Sequence, residues 1–190
     1  MSVTVTPAEF ALVVYDSARI EALVAEVADR LGLPADLPIT VAVNEQTPLA
    51  RTRLTSVDPP ILDVEGGAFE AVRHPRHLNE DGVIVTAARL LGRVLDRRDP
   101  AFSVGGAPPP EDKLTLAQAD VWDAYCLGRA ERLGYTATQQ PRWRYRFRTR
   151  HGFSDTADRV FDRLWAAEHL TWTDLDAACA ETGAAGVVTA

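Results

Sequence analysis

The sequence predicts an α+β fold in which a small mixed sheet is combined with long helices and is followed by a C-terminal strand and a helical hairpin. Three observations carry this prediction. Short alternating apolar segments occur between residues 38 and 66, two long stretches with helical apolar spacing follow them, and the composition changes abruptly after Gln139. The chain of 190 residues, 46% of them hydrophobic, can form one main core and a small appended module. We therefore expect a domain over residues 1–138 and a module over residues 139–190 that packs on it.

The first third of the chain predicts one helix among short strands. Residues 10–15 (FALVVY) are an apolar run typical of a strand, and residues 17–33 carry apolar side chains at helical spacing until Gly32 and Pro34. Alternation of apolar and polar residues then predicts extended segments, paired in an antiparallel or mixed manner, at residues 38–45, 51–57 and 61–66. Residues 73–81 are typical of a turn that leads into the next helix.

Two long helices are predicted in the middle of the chain. In the first, apolar residues from Val83 onward fall on one arc, while Thr86 and three arginines lie opposite, and Asp99-Pro100 ends the helix. The Gly/Pro-rich residues 103–113 predict a flexible loop. The second helix covers residues 114–133, and Gly134 serves as its C-cap.

The segment after Gln139, PRWRYRFRTRH, alternates five arginines with aromatic residues and a threonine. As a strand it would place the arginines on one face and the rings on the other. That separation favours a strand whose rings enter a core over a nucleic-acid surface, where rings and arginines act together. Contact with a partner or with nucleic acid nevertheless stays open for four arginines: Arg142, Arg144, Arg146 and Arg148.

The C-terminal part predicts two short helices, at residues 154–169 and 173–182, with capping-box spacing between Thr173 and Asp176. These could form a helical hairpin packed on the domain or a winged-helix-like module. The second helix is acidic and would be repelled by phosphates. The last residues, GAAGVVTA, are expected to fray.

Charge and composition exclude several functional classes. The net charge of −7 and the pI of about 5.1 argue against tight non-specific binding to nucleic acid by the whole molecule, although a local basic patch remains possible. No apolar run reaches the roughly 18 to 20 residues that span a bilayer, and the first residues lack the features of a secretion signal. We expect a cytoplasmic protein without membrane contact. Two cysteines, Cys126 and Cys179, provide no disulfide framework.

The stretch AARLLGRVLD, residues 87–96, resembles the metal-binding helix of the zincin metallopeptidases, especially the small minimal-zincin and repressor-cleaving types. Such a helix carries H-E-x-x-H, in which two His ligate zinc and the Glu activates water. The predicted order of helix, strand, edge strand, strand, motif helix, loop and second long helix, over residues 17–133, also resembles the zincin core. On the second helix the resemblance matches an Ala-Asp pair at Ala119-Asp120.

The same resemblance implies that the zinc chemistry is absent. Arg89, Leu90 and Arg93 stand where His, Glu and His would be, and Leu116 stands where a further Glu ligand would be. A guanidinium stays protonated and a leucine offers no lone pair, so no metal, cofactor or catalytic residue is expected at this site. The pair His74 and His77 has no third ligand at a suggestive spacing and predicts no metal site either.

The arginines of the first long helix admit three interpretations. Arg89, Arg93 and Arg97 are four residues apart and line one side, which could be a solvated face, an anion site of an enzyme not yet recognised, or one half of ion pairs.

The second long helix favours ion pairing. Asp123 falls inside its apolar arc, where an unpaired carboxylate is costly by several kcal/mol. We therefore expect Arg89 or Arg93 to meet Asp120 or Asp123 in the space that a metal occupies in active zincins.

Together these features predict a catalytically inactive, zincin-like binding or scaffold protein with an unknown protein partner. Two alternatives remain: an enzyme whose arginine stripe binds an anionic substrate, and a nucleic-acid-associated regulator that uses the Arg-rich segment. The sequence does not predict the oligomeric state.

Overall fold

A computed structural model describes residues 2–183 and shows the predicted α+β architecture, with a small mixed sheet and six α-helices in this range. The residues divide into two compact units, one up to Leu95 and one from Asp96. The composition change near residue 139 therefore lies inside the second unit. Fraying was expected for residues 183–190, of which the last seven lie outside the described part of the chain.

The first unit is built on a four-stranded sheet with the order β1-β2-β4-β3, in which β1, β2 and β4 are parallel and β3 is an antiparallel edge strand. A separate antiparallel pair, β5 and β6, follows the sheet in the chain. The elements are β1 (Val3–Thr6), α1 (Ser17–Arg30), β2 (Ile39–Asn44), β3 (Thr52–Val57), β4 (Pro60–Glu65), β5 (Glu70–Ala71) and β6 (His74–Leu78).

Alternation explains why this sheet has one buried face. In β2 and β4 every second side chain is buried, as at Val41 and Leu62, while the residues between them are partly exposed. The helix α1 connects the parallel strands β1 and β2, begins at the cap Asp16 and buries its apolar stripe. The prediction of α1, β2, β3 and β4 is confirmed, with the ends shifted by a few residues.

Two predictions in this unit were wrong. Residues 10–15 do not form a strand, since only Val14 makes an isolated bridge, to His77, and Leu12 and Val14 remain more than half exposed. The first strand lies instead at Val3–Thr6, where threonines alternate with valines. The predicted turn over residues 73–81 contains β6, which is exposed on both faces and therefore shows no alternation.

The second unit is helical and is centred on α3. The helix α2 (Glu80–Arg98) runs through the division between the units. The helices α3 (Leu116–Arg132), α4 (Gln140–His151), α5 (Asp155–Ala166) and α6 (Trp172–Glu181) follow, and α3 packs against the other three. Gly128 of α3 lies so close to α5 that a Cβ atom there would overlap the carbonyl oxygen of Trp165. The backbones of the two helices are therefore in direct contact.

The Arg-rich segment is the main error of the sequence prediction, because it forms the helix α4 and not a strand. Pro141 lies in the first turn, where its fixed φ favours a helix start. Phe147 and His151, one turn apart, are buried, so the burial follows a helical period. A smaller difference concerns α6, whose capping box is formed by Thr171 and Asp174 rather than by Thr173 and Asp176.

None of the helices within residues 2–183 combines the length with the apolar content that a bilayer crossing requires.

Candidate functional site

Arg89 and Arg93, which the resemblance predicts at the positions of zinc ligands, do not project into open solvent. Arg89 is half-buried, and its Nη2 donates to the hydroxyl of Thr52 on the edge strand β3 at 3.3 Å. Arg93 is 6% exposed and Leu90 is 1% exposed. The side of α2 opposite its apolar residues is therefore buried at Arg93. This side is not a solvated polar face along its whole length.

The third arginine of the stripe, Arg97, is committed to a structural contact in the second unit. Its Nη2 donates to Glu111 Oε1 at 2.8 Å and to the carbonyl of Pro109 at 2.7 Å. Its guanidinium also lies 5.0 Å from the ring centroid of Trp122. These contacts hold the loop between α2 and α3 against Arg97. Because its guanidinium is already engaged, Arg97 does not form an anion site together with Arg89 and Arg93.

A buried carboxylate next to Arg97 was not anticipated from the sequence. Asp96 accepts hydrogen bonds from Trp122 Nε1 at 2.7 Å and from Arg129 Nη2 at 2.6 Å, and Cys126 Sγ lies 3.9 Å from Oδ2. Burial raises the pKa of Asp96, and the charge of Arg129 opposes that shift. Asp96 lies seven residues after Arg89, two turns along the same face, so its spacing gave no sign of burial.

The two candidate aspartates of α3 are both buried, Asp123 at 1% and Asp120 at 6% exposure. Asp120 accepts from Arg146 Nε at 3.2 Å and from Arg150 Nε at 3.4 Å, both of α4. Burial raises the pKa of Asp120, and the charge of Arg146 counteracts the shift. The neutralisation of Asp120 that we expected from α2 is therefore supplied by α4, and the pairing of Asp123 with Arg89 or Arg93 stays a prediction.

Most arginines of α4 are engaged by acidic side chains of the same unit. Arg144 pairs with Asp158 and Asp162, and Arg148 pairs with Asp158 at 2.5 Å. The hydrogen bond from Arg148 lowers the pKa of Asp158. Arg142 is exposed and makes no ion pair with another residue in the range 2–183. The positive charge available to a partner is thus smaller than the arginine count indicates.

At the C-terminal end of α4, His151 contacts two other parts of the second unit. Its Nε2 lies 3.2 Å from the carbonyl of Ala117, its Nδ1 lies 2.7 Å from the hydroxyl of Thr182, and its ring stacks on Phe147 at 4.0 Å between centroids. Burial lowers the pKa of His151 to about 4. A neutral histidine therefore joins α4 to the start of α3 and to the end of α6 at neutral pH.

The first unit also contains a crevice of about 240 Å³ beside the carboxyl ends of β2 and β4. Glu45 Oε2 accepts from the amides of Ala11 and Leu12, and the neighbouring Gly67 leaves no room for a Cβ atom beside Pro48. Ligands of open α/β sheets bind at this end of parallel strands. Polar residues at the ends of these two buried strands, Asn44 and Glu65, were the sequence signal for this crevice, which was not predicted.

Metal-ligating side chains do not come together in the described residues. No group of three or more His, Cys, Asp or Glu side chains in the range 2–183 could hold a metal ion. His74 and His77 lie on β6 with ring centroids 6.3 Å apart. At the positions where the zincin resemblance places zinc ligands, Arg89, Arg93 and Leu116 offer no lone pair, so a zinc ion does not fit these side chains.

Comparisons with known protein families, with curated proteins and with solved structures gave no match to this chain.

Proposed function

We propose that this chain is a zincin-like protein without zinc chemistry, and that it acts inside the cell by binding an extended segment of a partner protein along the outer edge of β3. The observation that carries the proposal is the outer side of β3, with which no further strand of residues 2–183 pairs. The contact between Arg89 and Thr52 joins this edge strand to the helix that resembles the zincin motif helix. The order α1, β2, edge strand β3, β4 and α2, which motivated the resemblance, supports it further.

The two edges of the sheet differ in a way that supports binding at β3. At the β1 edge, the amide of Val5 donates to Glu21 Oε1 at 3.1 Å, so a side chain of α1 occupies part of that edge. At the other edge, β3 ends the strand order, and no further strand of residues 2–183 pairs with its outer side. An open edge offers N–H and C=O groups to an added strand, which is a common way to bind extended peptides.

The side chains of β3 suit an edge that is open to a partner. Leu54 is buried and anchors the strand, while Arg53 and Thr55 are exposed. The amide of Glu65 donates to the carbonyl of Arg51, so the alternation of an antiparallel ladder directs the N–H of the next residue, Thr52, outward. This amide is the group that we expect to pair first with an added strand.

The experiment uses a capped, fluorescein-labelled peptide of alternating threonine and valine with glutamate at both ends. We expect fluorescence anisotropy to show binding to the wild type and to Thr52→Val, which keeps the outward N–H and loses only the hydroxyl. Thr52→Pro removes that N–H without removing a β3–β4 hydrogen bond, and binding should fall roughly tenfold or more. Equal binding by the two variants, or no binding by the wild type, would refute the edge site.

The zincin part of the proposal has its own measurement. Elemental analysis of the purified protein should find no stoichiometric zinc, and a chelator should leave the thermal unfolding midpoint unchanged. Stoichiometric zinc, or release of peptides from casein that the chelator abolishes, would overturn the statement that the zinc chemistry is absent.

A further inference from the structure

The outer face of α4 combines exposed aromatic rings with arginines. Tyr145 is 63% exposed and Phe153 is 66% exposed, and their ring centroids lie 5.8 Å apart in an edge-to-face arrangement. Arg142 and Arg146 lie three residues before and one residue after Tyr145, on the same exposed side. Aromatic and arginine side chains are the types enriched at the centres of protein interfaces.

The same face carries an excess of positive charge. Arg146 and Arg150 are 50% and 41% exposed, and both bind one buried carboxylate, that of Asp120. Arg142 adds a further cation that has no ion-pair partner among residues 2–183. The three arginines of this face are thus offset by one buried carboxylate, which binds two of them, in a chain whose net charge is −7. A ligand for this face is expected to be acidic.

We propose that this face, formed by Arg142, Tyr145, Arg146, Arg150 and Phe153, is a docking surface for an acidic, extended segment of a partner protein. The spacing supports an extended occupant. Side chains four residues apart on a helix repeat at about 6 Å along the axis, and alternate side chains of an extended peptide repeat at about 6.7 Å. Acidic residues at alternate positions therefore face the three arginines, and the methylene groups of these acidic side chains contact the two rings. The residues between them point away from α4.

A protein segment fits the charges better than a nucleic acid does. Beyond this face the rest of the chain is strongly acidic, and Asp155 lies on the neighbouring helix α5. A long polyanion would be repelled where it leaves the arginines, whereas a short acidic segment meets only the cationic face. This surface belongs to the second unit and does not depend on the edge strand β3.

The test compares three labelled probes of similar length by fluorescence anisotropy: a peptide in which glutamate alternates with leucine, its lysine counterpart, and an oligothymidylate. The glutamate peptide should bind, and Arg142→Glu should weaken it roughly tenfold or more. The control Arg159→Glu reverses the charge of an exposed arginine on α5 that donates to the hydroxyl of Thr156, and it should leave the affinity nearly unchanged.

The contribution of the rings is tested with Tyr145→Ala, which should lose roughly tenfold in affinity, while Tyr145→Phe should stay close to the wild type. Thermal unfolding checks that each variant folds, and Thr52→Pro should bind the glutamate peptide as the wild type does, which separates this surface from β3. The proposal fails if the glutamate peptide does not bind, if Arg142→Glu and Arg159→Glu act alike, or if the lysine peptide or the oligothymidylate binds more tightly.

Discussion

Two helices of this protein each contain a series of three arginines that are four residues apart, and the surroundings of the two series differ. The series are Arg89, Arg93 and Arg97 on α2, and Arg142, Arg146 and Arg150 on α4. On α2, Arg93 is buried, and Arg97 forms an ion pair with Glu111 in which the two side chains are 12% and 13% exposed. On α4, Arg146 and Arg150 reach Asp120 from the surface and stay about half exposed. The spacing of arginines is therefore a poor guide to their role. Their neighbours decide whether they fasten the fold or face a partner.

The largest expected effect tests whether the buried charges at the end of α2 hold the second unit together. Asp96→Ala removes the carboxylate that Trp122 and Arg129 share and leaves the Arg129 guanidinium partly buried without its ion pair. We expect a loss of about 3–5 kcal/mol in the free energy of unfolding, measured with urea. The control Asp162→Ala removes a 56% exposed ion-pair partner and should cost less than about 1 kcal/mol. Similar losses in both variants would contradict the contrast between buried and surface pairs.

The second prediction compares two arginines with double contacts to a glutamate. Arg97→Ala should destabilise by about 2 kcal/mol, because Glu111 and the carbonyl of Pro109 lose a charged donor in a partly buried place. Arg19 binds both oxygens of Glu80 in the first unit, but this pair is nearly half exposed, so Arg19→Ala should cost less than about 1 kcal/mol. Urea unfolding measures both, and Arg97→Lys should restore only part of the loss.

The third prediction concerns the shared carboxylate of α3. Either Arg146→Ala or Arg150→Ala alone should cost less than about 1 kcal/mol, because Asp120 keeps the other arginine. Both changes together should cost about 2 kcal/mol, more than the two single losses added, because Asp120 is then buried without either cation. Additive losses in this double-mutant cycle would mean that the two arginines do not act on one group.

The smallest expected effect is the pH dependence due to His151. Its pKa is about 4 in the folded protein and about 6.5 in the unfolded chain, so only the unfolded chain takes up a proton as the pH falls below 6.5. The stabilisation by neutral His151 is complete above that pH and is lost progressively toward pH 4. Between about pH 7 and about pH 5.5 the wild type should lose about 1 kcal/mol more than His151→Gln. His169→Gln, at an exposed position, should leave the wild-type pH profile unchanged.

The sequence predicted the elements whose pattern is local. Helical spacing located α1 and α3, and alternation located β2 and β4, because their buried residues recur with the period of one element. The strand β1 was missed because it has only four residues and alternates valine with threonine. The helix α4 was mistaken for a strand because its arginines fall at every second position. Its buried residues are Phe147 and His151, which are four residues apart as in a helix.

The burial of a site residue could be predicted only where that residue lies among the apolar residues on one side of its own helix. Asp123 falls in the apolar arc of α3, and it is 1% exposed. Asp96 has no such signal, and its burial depends on Trp122 and Arg129, which lie on another helix. The partners of Asp120 were likewise beyond reach, since they come from a segment whose secondary structure was itself misassigned.

The glycine at position 128 has a consequence for how the second unit can open. The carbonyl of Trp165 that lies against it also accepts a hydrogen bond from Arg132 at 2.5 Å. Because Gly128 has no side chain, the two backbones are in direct contact at this position. No flexible side chain can change its rotamer there to keep the contact as α3 and α5 move apart. Their separation is expected to be all-or-none, with the helices either seated backbone to backbone or fully released.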